Sequence, residues 1–80
     1  MTRMTIQVEK MVGADLIPYL VQSACHYESS LYIECGNKSI NMKSIMGMTI
    51  LRLNKGTSFE LIADGDDEEK AVNEIAECFA

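Results

Sequence analysis

Eighty residues, 48% of them hydrophobic and 24% charged, with a formal net charge of −5, describe one small domain spanning 1–80. A chain this short buries only about 60% of its unfolded surface, which places stability near the low end of ~5 kcal/mol and leaves little room for a large catalytic cavity. Twelve acidic residues against seven basic ones exclude the basic patch that nucleic-acid binding needs and disfavour an anionic membrane surface.

Met4, Ile6 and Val8 alternate with Thr5, Gln7 and Glu9, the period of a half-buried strand. A loop with Gly13 follows. Asp15 then stands where a helix cap belongs, with Pro18 in the first turn, where its missing N–H does no harm. The helical stretch runs through Leu16, Tyr19, Leu20, Ser23 and Cys25 to about His26, and Glu28-Ser29-Ser30 ends it. Leu31, Ile33 and Cys35, the turn pair Gly36-Asn37, and Ile40 and Met42 predict a β-hairpin over 30–43.

Ser44 is a favoured N-cap before Ile45-Met46-Gly47-Met48-Thr49-Ile50-Leu51, a short helix that Gly47 weakens by ~1 kcal/mol relative to Ala. Asn54-Lys55-Gly56 is a turn. Phe59, Leu61 and Ala63 predict the fourth strand, with Ile62 apolar on its other face. The last helix is expected to be capped by Asp66 or Asp67, with Glu68 and Glu69 in the first turn where negative charge suits the dipole. Ala71, Val72, Ile75, Ala76, Cys78 and Phe79 form its apolar face. The order β-α-β-β-α-β-α gives an α+β domain, a four-stranded antiparallel sheet with three helices on one face.

No apolar run approaches the ~20 residues of a spanning helix. Met1-Thr2-Arg3-Met4-Thr5 lacks the apolar core of a signal peptide, so a cytoplasmic protein is expected. Three cysteines, none at CxxC spacing, predict reduced and largely buried thiols rather than a disulfide scaffold. Neighbouring Cys25 and His26 lack zinc-ligand spacing, and Asp64, Asp66, Asp67, Glu68 and Glu69 lack the spacing of a calcium loop, so no metal or other cofactor is expected. His26 at a helix end suits the dipole there and needs no ligand. Ser44 beside Lys43 is the candidate site. A phosphate on its hydroxyl would meet the positive end of a helix dipole, while the bland reading is a simple cap.

The whole chain resembles HPr, the histidine-containing phosphocarrier of the bacterial sugar phosphotransferase system, and its regulatory relative Crh. Lys43-Ser44-Ile45-Met46-Gly47 looks like the regulatory serine motif of the Firmicute forms, and Asp64-Gly65-Asp66-Asp67-Glu68-Glu69-Lys70-Ala71 resembles the approach to the last helix. The resemblance implies the HPr-like open-faced β-sandwich and no enzymatic activity. Where family phosphocarriers carry Gly-Leu-His-Thr-Arg-Pro, this chain reads Gly13-Ala14-Asp15-Leu16-Ile17-Pro18. Asp15 thus occupies the phosphoryl-accepting histidine position and Ile17 the arginine position, so ordinary phosphocarrier activity is expected to be lost.

Asp15 is open to three readings: a cap, an acyl-phosphate acceptor, or a charge that imitates phosphohistidine. By resemblance, Ser44 would be phosphorylated by HPr kinase/phosphorylase and the product would bind a CcpA-like regulator. Asp15, Leu16, Ile17, Lys43, Ser44, Ile45, Met46 and Met48 form the expected partner surface. Crh-like proteins keep the arginine that Ile17 replaces, and Thr49 and Arg52 also depart from the usual residues of the Firmicute forms. The alternative is an unmodified docking protein for enzyme I, permease domains or unrelated partners.

Overall fold

The computed structural model describes residues 1–9, 16–49 and 55–79. Four strands, β1 (Thr2–Gln7), β2 (Ser30–Cys35), β3 (Lys38–Asn41) and β4 (Ser58–Asp64), form one sheet in the order β1-β4-β2-β3, every pair antiparallel. Three helices, α1 (Leu16–Ala24), α2 (Ile45–Thr49) and α3 (Glu68–Glu77), complete the expected order. The loop at Gly13, the cap at Asp15, the extension of α2 through Ile50 and Leu51, Arg52, and the turn residue Asn54 lie outside the described residues.

Strand alternation divides the sheet into two faces. Ile6, Leu31, Ile33, Ile40, Phe59, Leu61 and Ala63 enter the core with Leu20 and Ala24 of α1 and Ala71, Val72 and Ile75 of α3. Phe79 closes one end, its ring edge-on to Phe59 with centroids 5.0 Å apart. On the open face Ile62 is nonetheless only 5% exposed. It lies on the central strand with Arg3 and Tyr32 opposite it in the two neighbouring strands, and these larger side chains shield it. The Arg3 guanidinium also bridges Glu34 and Glu60, which sit opposite each other across β2 and β4.

The β2–β3 hairpin closes on two residues, with Cys35 opposite Lys38. Of the two turn residues only Gly36 has positive φ, 63°, as a type II′ turn requires at its first central position. Gly47 explains itself by contact. A Cβ there would stand 3.2 Å from Cγ2 of Ile40, so the missing side chain lets α2 settle on β3.

Two expectations are corrected. Asp67 occupies the N-cap position of α3 but makes no side-chain cap. Its carboxylate instead accepts hydrogen bonds from the Glu28 and Ser29 backbone N–H groups, each at 3.0 Å, and from the Ser29 hydroxyl. The fully buried Ser29 needs that partner more than the solvated helix end does. The thiols are not buried either: Cys25 is exposed, and Cys35 and Cys78 are half-buried. Among the described residues, no helix is long and apolar enough to cross a membrane.

Candidate functional site

Asn41, the last residue of β3, organises the start of the site. Its Oδ1 accepts the Lys43 backbone N–H at 2.9 Å and its carbonyl accepts that of Ser44 at 3.1 Å, so the chain turns tightly out of the sheet. Ser44 then caps α2 as expected. Its carbonyl accepts the Met48 N–H at 3.0 Å and its Oγ accepts the Gly47 N–H at 3.3 Å. The described hydrogen bonds of Ser44 thus run to backbone, not to an imidazole or carboxylate that could activate its oxygen.

Around Ser44 the predicted surface divides. Ile45 is 49% and Met46 80% exposed, a paired apolar projection beside the half-buried serine. Met48, expected on the same surface, is 0% exposed and belongs to the core. One helical turn cannot present all three side chains outward, and hydropathy alone does not say which turns in. Lys43 is half-buried, with its ammonium donating to the Tyr27 carbonyl at 2.9 Å. Sequence reasoning missed this tie, because no local signal links residues 16 apart.

Leu16 and Ile17 begin α1, half-buried and packed on the core, and α1 packs against α2. Asp15 lies outside the described residues. His26 is exposed past the end of α1, and its Nδ1 donates to the Gln22 carbonyl at 2.8 Å, satisfying one of the helix's last acceptors. Among the described residues, no three His, Cys, Asp or Glu side chains gather as metal ligands.

The acidic segment before α3 does structural work. Ser29 and the Glu28 N–H hold the Asp67 carboxyl below its ordinary range. Glu68 accepts from the Thr2 hydroxyl, pairs with the Met1 amino group at 3.0 Å and accepts the Gly65 N–H at 3.2 Å. Those three interactions, in that order, bring its carboxyl down to about 2.

The chain matches the PTS-HPr family, described as the PTS HPr component phosphorylation site, over residues 2–80. It is similar to the HPr-like protein Crh of Bacillus subtilis (strain 168), 35% identical over 78 residues that cover 95% of this chain and 92% of that protein. Among solved structures, HPr-C-His from Thermoanaerobacter tengcongensis superposes with a TM-score of 0.90 at 34% identity, covering 99% of this chain and 91% of that one. Crystalline Bacillus subtilis Crh, a dimer with a swapping domain, gives a TM-score of 0.77 at 32% identity, covering 92% and 85%.

Proposed function

The chain belongs to the HPr family of the phosphotransferase system, and from that membership we propose a cytoplasmic regulatory protein, switched by phosphorylation of Ser44, that binds a catabolite regulator when modified. HPr and Crh proteins carry phosphoryl groups or regulate and are not enzymes. The carrier role is set aside because Asp15 replaces the accepting imidazole and Ile17 the guanidinium beside it, with Gly13 and Pro18 keeping the frame.

One observation supports the switch above the others: Ser44 is a half-buried cap flanked by the exposed side chains of Ile45 and Met46. Phosphorylation would add about −1.5 to −2 charge beside an apolar projection, a combination that a partner can read with an arginine and an apolar pocket. HPr kinase/phosphorylase is the modifying enzyme this reading requires, and a CcpA-like repressor is the reader.

Intact mass after two parallel incubations tests it. A gain of about 80 Da with HPr kinase and ATP, absent in Ser44→Ala, is expected. Enzyme I with phosphoenolpyruvate should add nothing. A gain with enzyme I would restore phosphocarrier chemistry at Asp15 or His26. Regulator binding that does not require Ser44 modification would sink the switch and favour plain docking.

A further inference from the structure

Two adjoining concavities run along the seam between α1 and α3. One, of about 450 Å³, is lined by Tyr19, His26, Tyr27, Lys70 and Glu74 among others. The next, of about 340 Å³, is lined by Leu16, Tyr19, Glu74, Glu77 and Cys78. They share Tyr19 and Glu74, so the two form one groove with these residues at its middle. Its Leu16 end carries the carboxylate of Glu77, while the Lys70 ammonium lies at the other end beside His26.

The middle of the groove is built to receive a cation. Tyr19 is 56% exposed. The Tyr27 hydroxyl donates to Oε1 of Glu74, which fixes the carboxylate in place. Burial first, and then that bond, pushes the Tyr27 phenol up to about 12, so it stays a donor throughout the neutral range. A carboxylate has lone pairs to spare after one such bond, and a bidentate donor can use them.

We propose that the α1–α3 seam is a docking groove for a partner-protein segment carrying an arginine, its guanidinium lying on the Tyr19 ring and pairing with Glu74 and Glu77. Charge complementarity selects the occupant. The chain carries −5 overall, and a flat, weakly hydrated guanidinium can stack on a ring and fork to a carboxylate at once, which an ammonium does less well. The leucine-lined end takes the apolar residue beside that arginine. Lys70 disfavours a second cation at the far end, which gives the segment a direction. The proposal does not depend on Ser44.

The test is an NMR amide-shift titration of the full chain at low salt with a blocked leucine-arginine-leucine tripeptide. Saturable shifts centred on Tyr19, Tyr27, Glu74 and Glu77 are expected. Replacing arginine by citrulline, or making Glu74→Gln, should weaken binding about three- to fivefold, the size of one lost solvent-exposed charge pair. Glu74→Gln keeps an oxygen for the Tyr27 hydroxyl, so the groove stays formed, and Tyr19→Ala at an exposed position gives a second weakened variant. Shifts centred instead on residues 64–69, equal binding of the citrulline peptide, or no saturable shift at all would overturn the proposal.

Discussion

The Lys43 ammonium donates to the Tyr27 carbonyl at 2.9 Å, so the residue beside Ser44 is anchored to the turn that follows α1. That bond crosses from the β3–α2 connection to the α1–β2 connection and satisfies a carbonyl outside any helix or strand. Lys43→Met keeps the aliphatic stem and removes the donor. It should cost about 1–2 kcal/mol, the range for a hydrogen bond to a charged group that is partly solvated. Urea denaturation would show the loss, and amide exchange at Ser44 should quicken in the same variant.

Ser44→Ala removes the Oγ that accepts the Gly47 N–H. The expected loss is ~1 kcal/mol, read in a domain of this size as a fall of several degrees in Tm. Ser44→Asp keeps a capping acceptor and should stay within about 0.5 kcal/mol of the parent chain. If both substitutions destabilise equally, the cap is not what the serine oxygen contributes.

Acid stability should turn on Glu68 and Asp67. Both carboxyls titrate lower in the folded chain than their ordinary values, Glu68 at about 2 instead of 4.5. The unfolded chain therefore takes up their protons first. Their contribution is full above the ordinary carboxylate range and is lost as pH falls from about 4.5 toward 2. Urea midpoints measured across that interval should decline, and Glu68→Gln should flatten the decline while lowering the neutral plateau.

Gly65 permits a close approach between the β4–α3 connection and the loop before β2. A Cβ at this position would lie 2.6 Å from both Cα and Oγ of the buried Ser29, and φ is +157°. Backbone cannot swing aside as a long side chain can. Gly65→Ala is expected to cost about 2–3 kcal/mol, the upper part of the overpacking range, and to lower the urea midpoint with little change in slope.

The elements were legible because each announces itself within a dozen residues. Alternation marks β1, the hairpin and β4, and the 3.6-residue period marks α3. The Ser44 cap was equally local. What sequence did not disclose was settled between distant segments. Asp67 serves Ser29, 38 residues away, in place of its own helix, and Lys43 reaches Tyr27. Met48 joins the core, where α2 packs against α1 and β3, while Met46, of identical composition, stays exposed. The groove along α1 and α3 has no signature at all in one dimension, since its two walls come from opposite ends of the chain.

The missing side chain at Gly47 also divides α2 into positions that can drift and one that cannot. With α2 resting this close to Ile40, a Cβ added at 47 would stand 3.2 Å from Cγ2 of Ile40, so that side chain or the helix must give by a few tenths of an ångström. Ile45 and Met46, facing outward, are under no such constraint. A lineage or a designer could therefore rewrite what this face recognises by changing those two side chains, while position 47 holds the height of the platform.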